Sequence, residues 1–457
     1  MFRATALLFA GFLLLLGTSA LDVPSSTRYT SAALSDEISA LPGLSQTISF
    51  KQFSGYLEVN KDHGKNIFYW FVESQNDPVN DPVLLWTNGG PGCSGLVGFM
   101  TENGPFRPTK DGQSVSLNNF SWNTVANVLF VEQPAGVGFS YSNEKSDYNT
   151  GDLKAADDNY LAILQFLERF PQYDANKFYI SSESYGGHYM PTLAKRIVEG
   201  NTVAAAKINF GGLLVGNPYN FPEENALGMF GTAWGHQLLP KPLYDQWSAK
   251  CQGRRATQCD DLEKKMESIL SGLNPYSLDT PVCTEETARG GRMQRYFLLN
   301  KIKKSGALGK YEPCESNYAE AYLNRADVQK AIHARPVEWE ECNMAINVNW
   351  NQTDLSVHME PFYRYLIDSA EDLHIVIYSG DDDSVCGTMG TQSWLYDLGY
   401  PIVEEWTPWK VNEQVAGFVT KFKGFNFVTV HTAGHEVPTY QPARALVLLK
   451  NYLSGKF

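Results

Sequence analysis

Short apolar runs, rich in β-branched and aromatic side chains, recur along the chain and are typical of buried strands. Seven such runs predict strands at residues 67–72, 82–87, 127–131, 177–181, 208–215, 374–378 and 425–429. Two segments follow helical spacing instead, residues 153–170 and residues 185–199. The alternation of strand and helix predicts an α/β fold with a mostly parallel central sheet flanked by helices.

The first predicted helix is amphipathic and ends at Pro171, which cannot continue it. Its expected buried face is formed by Leu153, Ala156, Tyr160, Ile163, Leu164 and Leu167. The second predicted helix follows a strand directly, so a tight strand-to-helix turn joins them.

The strand pattern fades between residues 217 and 348, a stretch that holds five of the seven cysteines. We therefore expect a helical and loop-rich cap over residues 217–348, inserted between core segments 21–216 and 349–457. Such caps commonly cover the carboxyl edge of the sheet, where ligands bind.

The first 20 residues have the pattern of a signal peptide. Arg3 gives a basic start, residues 4–16 are apolar, and Thr18-Ser19-Ala20 supplies small residues before a cleavage site. The alternative is a membrane anchor, but the apolar run is too short to span a bilayer comfortably. We expect entry into the secretory pathway, an extracellular or vacuolar/lysosomal destination, and no membrane anchor after cleavage.

Composition and net charge limit the classes of protein to which the chain can belong. The 457 residues contain 43% hydrophobic and 19% charged residues, as in an ordinary globular protein, which suggests two or three domains or one large core with insertions. The formal net charge is −13, which argues against a nucleic-acid partner because such partners need a basic face.

The cysteines and sequons fit a secreted chain. Seven cysteines leave at least one unpaired or bonded between chains, and spacing alone does not fix the pairing. No Cys-x-x-Cys pair is present, which argues against thiol-redox or zinc-ribbon chemistry. Sequons at Asn119 and Asn351 predict surface glycosylation sites.

A nucleophile elbow is indicated at Ser184, between the strand at 177–181 and the following helix. The tight turn needs small residues two positions before and after the serine. Gly186 meets this need, whereas Ser182 replaces the usual glycine. The alternative reading is a serine that caps the helix N-terminus.

A serine nucleophile requires a base and an acid that orients it. The predicted strand at 374–378 leads into Gly380-Asp381-Asp382-Asp383, and the strand at 425–429 leads toward His435. The order serine, aspartate, histidine is that of α/β hydrolases. Residues 88–95 form a glycine-rich loop after another strand, where backbone N–H groups can face an oxyanion. A phosphate loop is a poor match, because no lysine follows.

Five motifs together resemble the serine carboxypeptidase family, from about Leu41 to the C-terminus. They lie at residues 88–94, 132–141, 183–189, 380–383 and 434–435, in the family's order. The resemblance implies an α/β-hydrolase fold with an inserted cap and proteolysis of peptide or protein C-termini. It implies no metal and no organic cofactor, and it allows a homodimer.

The resemblance also implies residue roles. Ser184 matches the nucleophile, His435 the general acid/base, and Asp383 the last aspartate of the family's Gly-Asp-x-Asp pattern. The remaining matches are the oxyanion-hole amides of Gly90 and Tyr185, the substrate-carboxylate site of Asn88, Gly89, Glu102 and Glu183, the supporting Trp86, the free Cys386, and a Cys93–Cys342 disulfide. The departure at Ser182 affects the expected strain of the elbow.

The implied carboxylate site has a physical rationale, because two glutamates that share a proton leave one neutral and able to donate. Peptidase activity should then fall as pH rises, mainly through KM.

Three alternatives remain open at this point. A zinc carboxypeptidase is disfavoured because no histidine is followed by glutamate three positions later. An acyltransferase on the same scaffold would use the same triad. An inactive binding protein is disfavoured by the intact set Ser184, Asp383 and His435.

Overall fold

A ten-stranded sheet forms the centre of the molecule. The computed structural model describes residues 29–203, 207–252, 257–284, 311–369 and 372–457. The strands are β1 (Gln52–Asn60), β2 (Lys65–Val72), β3 (Val83–Thr87), β4 (Phe106–Pro108), β5 (Val115–Leu117), β6 (Asn127–Glu132), β7 (Phe178–Ser184), β8 (Phe210–Pro218), β9 (His374–Gly380), β10 (Ile402–Val411), β11 (Gln414–Phe422) and β12 (Phe425–Val430).

The strand order is β1-β2-β6-β3-β7-β8-β9-β12-β11-β10, while β4 and β5 form a separate two-stranded sheet. The six middle strands, from β6 to β12, run parallel. Antiparallel pairs close the large sheet at both ends. All carboxyl ends of the parallel strands therefore meet at one edge, where the candidate site lies.

Helices cover both faces of the sheet. They are α1 (Ser31–Ser35), α2 (Gly95–Val97), α3 (Asp152–Arg169), α4 (Gly186–Val203), α5 (Pro222–Gly235), α6 (Lys241–Cys251), α7 (Thr257–Leu270), α8 (Glu315–Leu323), α9 (Ala326–Ala331), α10 (Met344–Asn349), α11 (Glu360–Ser369), α12 (Thr388–Asp397), α13 (Val437–Tyr440) and α14 (Pro442–Leu453). No helix in the described ranges is long and apolar enough to cross a membrane.

Two hydrophobic cores sandwich the sheet. One core packs alternate strand residues such as Leu85 and Ile180 against α3, α4, α11 and α12. The other packs Trp86 and Phe130 against α2, α8 and α14. Because both faces of the parallel strands are buried, their sequences are almost continuously apolar. The predicted mostly parallel, helix-flanked sheet is confirmed.

The buried face of α3 differs from its prediction at one end. Ala156, Tyr160 and Ile163 are buried as expected, but the side chain of Leu153 is 67% exposed. The neighbouring Asp152 takes the inward position in the first turn, because its carboxylate bonds to groups beneath the elbow.

The chain between β8 and β9 contributes helices and loops, and no strand of the sheet among its described residues. Disulfides join Cys251 to Cys259, Cys283 to Cys314, and Cys93 to Cys342. The first two lie within the insertion, whereas the third ties it back to the core. The predicted cap boundaries stay a prediction, and the predicted signal peptide lies outside the described residues.

Candidate active site

Ser184 occupies a strained turn between β7 and α4. Its φ is 60°, in the left-handed region that non-glycine residues seldom adopt. A Cβ atom on Gly186 would lie 2.5 Å from Ser182 Cβ, so position 186 requires glycine. The buried Ser182 side chain is thus accommodated through the glycine on the other side of the nucleophile.

His435 and Asp383 are buried together at the ends of neighbouring strands. His435 Nδ1 lies 2.8 Å from Asp383 Oδ2, which fixes the ring and leaves Nε2 to exchange protons. Asp383 also accepts hydrogen bonds from the Asn217 amide at 2.7 Å and from the backbone N–H groups of Val385 and Cys386 at 2.6 and 3.1 Å. The acid of the pair is therefore rigidly held.

Ser184 lines a cleft of about 600 Å³ at the carboxyl edge of the sheet. Tyr276 and Cys386 line the same cleft, and they contact His435 and Asp383 respectively. Ser184 thus lines the cleft directly, while His435 and Asp383 lie behind the lining residues Tyr276 and Cys386. In the described part of the chain the Ser184 hydroxyl makes no hydrogen bond, and apo active sites commonly show this looseness.

The predicted carboxylate-binding residues also converge. Asn88 Nδ2 donates to Glu102 Oε1 at 2.6 Å and to Glu183 Oε1 at 3.0 Å. All three side chains are buried, and Glu183 directly precedes Ser184. Burial raises the pKa of Glu102, while burial and the charge of Glu102 hold the pKa of Glu183 well above its ordinary value. Both shifts favour the protonated form of the carboxyl group, more strongly at Glu183.

Trp86 determines which way the Asn88 amide points. The Trp86 indole N–H and the Gly98 backbone N–H both donate to Asn88 Oδ1 at 2.9 Å. With its oxygen occupied by two donors, the amide must turn its N–H groups toward the glutamates. Glu102 arrives at this point on a π-helical turn, Gly98–Glu102, a feature often found at functional sites.

The predicted oxyanion-hole residues lie side by side. A Cβ atom on Gly89 would come within 2.6 Å of the Tyr185 backbone nitrogen, so the glycine-rich loop packs directly on the elbow. Gly90 and Tyr185 both line the cleft beside Ser184. Within the described ranges neither backbone amide donates a hydrogen bond to the protein, which leaves both available to a substrate oxygen.

A buried network beneath the elbow was missed by the sequence analysis. His188 stacks on the Tyr185 ring with centroids 4.6 Å apart, and its Nδ1 lies 2.9 Å from Asp152 Oδ2. The Tyr185 hydroxyl donates to Asp152 Oδ1 at 2.9 Å. His188 lies four positions after Ser184, so its helical spacing was the available signal. The network anchors the residue whose amide faces the cleft.

Asn217 was also missed, although it lies at the carboxyl end of β8, beside the end of β9 that leads to Asp383. Its side chain bonds to both Asp383 and the Gly380 backbone, and its φ of 39° lies in the left-handed region. Tyr276 gave no signal, because it lies in the loop-rich insertion.

The other predicted residues are placed as follows. Cys386 is a free, buried thiol whose pKa is held well above its ordinary value, first by burial and then by Asp383 and Glu183. Asn119 and Asn351 are both exposed. Two clusters of metal-ligand type occur in the described residues, Glu224-His358-Glu360 and His236-Asp279-Asp382, and neither includes a triad residue.

Comparison with known proteins agrees with this geometry. A family model described as "Serine carboxypeptidase" matches residues 42–455. Serine carboxypeptidase-like 25 of Arabidopsis thaliana is 39% identical over 441 residues, covering 93% of this chain and 92% of the relative. Serine carboxypeptidase 24 of the same plant is 39% identical over 458 residues, covering 97% of each.

The fold is shared with a solved structure. The crystal structure of Kex1(delta)p, a prohormone-processing carboxypeptidase from Saccharomyces cerevisiae, matches with a TM-score of 0.77 at 21% identity. The match covers 93% of this chain and 96% of that one. The predicted α/β-hydrolase fold is confirmed.

Proposed function

The chain belongs to the serine carboxypeptidase family, and we propose that it is a serine-type carboxypeptidase that releases C-terminal amino acids from peptides and proteins. Family membership suggests a hydrolase. The proposal adds the specific reaction, its catalytic residues and an acid optimum.

In the proposed reaction, Ser184 Oγ attacks the carbonyl carbon of the last peptide bond while its proton passes to His435 Nε2. The oxyanion that forms accepts hydrogen bonds from the Gly90 and Tyr185 amides. When the C–N bond breaks, His435 returns the proton to the leaving amine, and the terminal amino acid departs. Water then attacks the acyl-enzyme ester with His435 as base, restoring Ser184. Asp383 orients the imidazole throughout.

The observation that carries the proposal is the buried carboxyl pair next to the nucleophile. An endopeptidase has no need for it, whereas an exopeptidase must recognise a free terminal carboxylate. A protonated Glu183 donates to that carboxylate, and the Asn88 amide orients the pair. The Gly89 amide is the further donor proposed for this site.

An acyltransferase is the second candidate, favoured by the character of the cleft. Its lining includes Tyr219, Met344, Val348 and Leu355, with no Asp, Glu, Lys or Arg among the described lining residues. Such a cleft suits a large uncharged acyl group. The buried carboxyl pair favours the peptidase.

We propose the same cellular setting that the sequence predicts: passage through the secretory pathway to the cell exterior, a vacuole or a lysosome. The three disulfides suit an oxidising compartment. Asn119 and Asn351, both exposed, are proposed glycosylation sites. Peptide or protein C-termini are the proposed partners, with a homodimer allowed.

The test is release of the terminal amino acid from an N-blocked dipeptide between pH 4 and pH 8. Wild type runs beside Ser184→Ala, with a chelator in one arm. Release that needs Ser184, resists the chelator and peaks in acid supports the carboxypeptidase. Protein that reacts with a fluorophosphonate at Ser184 but releases nothing, and instead transfers acyl groups from choline or glucose esters, supports the second candidate.

A further inference from the structure

Asp382 precedes the triad aspartate and occupies the variable position of the Gly-Asp-x-Asp pattern. Its side chain is buried, at 3% exposure. Its Oδ2 atom accepts a hydrogen bond from the Ser277 hydroxyl and another from the Asp279 backbone N–H at 3.2 Å. The Asp382 backbone oxygen accepts the Leu278 N–H at 3.1 Å. The residue therefore binds three successive positions of the insertion.

The segment that Asp382 binds, residues 274–280, reaches the catalytic base. The Tyr276 backbone oxygen accepts the His435 backbone N–H at 2.6 Å. The Tyr276 ring meets the His435 ring edge-on, with centroids 4.9 Å apart and planes at 89°. Tyr276 also lines the cleft that contains Ser184. One wall of the imidazole site is thus built from the insertion.

A second contact set reinforces the attachment. Ser384, on the other side of Asp383, donates its N–H and its hydroxyl to the Pro275 oxygen at 3.0 and 2.8 Å. The two residues that flank the triad aspartate therefore both fasten the 274–280 segment. Movement of this segment would displace Tyr276 and, with it, the His435 backbone.

His236, at the end of α5, lies between two carboxylates of the same assembly. Its Nε2 atom is 3.7 Å from Asp382 Oδ1, and its Nδ1 atom is 3.6 Å from Asp279 Oδ1. The carboxylates face opposite nitrogens of the ring, so the imidazole lies between them.

We propose that Asp382 is a positioning residue that fastens the 274–280 segment so that Tyr276 holds His435 in its productive orientation. This inference rests on the proposed carboxypeptidase function. It assigns to the insertion a part in the chemistry, in addition to shaping the cleft.

The test compares kcat and KM for an N-blocked dipeptide and its ester in four single variants and one double variant. Asp382→Ala removes the acceptor, and we expect kcat to fall about 10-fold for both substrates because the imidazole is misplaced. KM should change by less than about twofold, since no hydrogen bond among the described residues joins this segment to Asn88, Glu102 or Glu183. Asp382→Asn keeps an accepting oxygen and should recover most of the loss.

Ser277→Ala removes the donor from the opposite side of the same hydrogen bond. Its effect should be smaller, about threefold in kcat, and should vanish in the Asp382→Ala background because both changes break one contact. Asp279→Asn is the matched control, since its exposed carboxylate is altered while its backbone N–H stays; its kcat should equal that of wild type. Thermal melts of every variant separate misplacement from unfolding.

Three results would overturn the inference. The first is a kcat of Asp382→Ala equal to that of Asp279→Asn, and the second is a loss of kcat in Asp382→Ala that Asp382→Asn does not recover. The third is a double variant in which the losses of kcat from Asp382→Ala and Ser277→Ala add. If Asp382→Ala does not fold, an unchanged kcat in Ser277→Ala overturns it. A wild type without peptidase activity would instead refute the proposed function. In that case the rate of fluorophosphonate labelling at Ser184, which needs His435 but no peptide, compares the same variants.

Discussion

Glu102 and Glu183 share one donor, the Asn88 amide nitrogen, at 2.6 and 3.0 Å. Two carboxylates that close to each other in a buried site cannot both be charged without a large cost, so we expect the pair to retain a proton. Glu436 stands nearby, its own pKa held well above the ordinary value by burial and then by the charge of Glu102. Arg107 and His435 instead lower the pKa of Glu102.

The first prediction concerns KM and pH. Because the pKa of Glu183 is raised above 4.5, the pair keeps its donor in acid and loses it as pH rises through the raised value. KM for a peptide with a free carboxylate should therefore be lower at pH 5 than at pH 8. Peptide amides, which lack that charge, should show no such rise. Equal KM values at the two pH values for the free acid would contradict the shared proton.

The second prediction separates the roles of the two glutamates. Glu183→Gln replaces the proton donor by a permanently neutral donor, so KM for a free-acid peptide should vary much less between pH 5 and pH 8 than in wild type. Glu102→Gln removes a negative charge and should leave Glu183 with a less perturbed pKa. Steady-state KM measurements across this range check both variants, and identical pH profiles in the two would show that the glutamates are interchangeable.

The middle of the sheet could be predicted from sequence because parallel strands are buried on both faces, which leaves continuous apolar runs. The seven predicted strands correspond to β2, β3, β6, β7, β8, β9 and β12. β10 was not predicted, because most of its residues are exposed at the sheet edge and burial imposes no hydrophobic pattern on them. β1 and β11 were not predicted either, and both lie in the antiparallel ends of the sheet.

The residues of the candidate site also differ in whether the sequence could predict them. Ser184 is the last residue of its parallel strand, and Asp383 and His435 lie just beyond the ends of theirs, so sequence order and topology bring them to one edge. Asn217 obeys the same rule and could have been found by it. Tyr276 could not, because a loop-rich insertion has no periodicity from which to infer where its backbone docks. Contacts made by such loops depend on tertiary packing alone.

The third prediction concerns Asn217, which donates to Asp383 Oδ2 at 2.7 Å. Asn217→Gly removes the amide while tolerating the left-handed backbone, and we expect kcat to fall about 10-fold with KM unchanged, because a hydrogen bond to a buried carboxylate is lost. The kcat of Asp383→Asn should fall further, by about 10⁴-fold, because the imidazole loses its orienting acceptor. Ester hydrolysis by both variants provides the measurement, and a larger loss in Asn217→Gly would refute this ranking.

The fourth prediction is a loss of stability as pH rises, from a buried carboxyl group outside the site. Burial raises the pKa of Glu132 from 4.5 to about 7, although Ser94, Trp339 and the Phe139 N–H all donate to it. A folded-state pKa above the unfolded value means that the folded protein binds more protons between these values. The free energy of unfolding should therefore be highest below pH 4.5 for this group and should decline by about 3 kcal/mol toward pH 7.

Glu315 adds to the same trend, because burial raises its pKa to about 7 as well. Glu132→Gln provides the control: its amide offers one accepting oxygen where Trp339 and Phe139 each need one, so it should be less stable than wild type at pH 5. Its stability should nevertheless vary less with pH, because position 132 no longer titrates. Melting temperatures at pH 5 and pH 8 give both quantities. A wild-type melting temperature that rises with pH would contradict the assignment, as would a pH slope unchanged in Glu132→Gln.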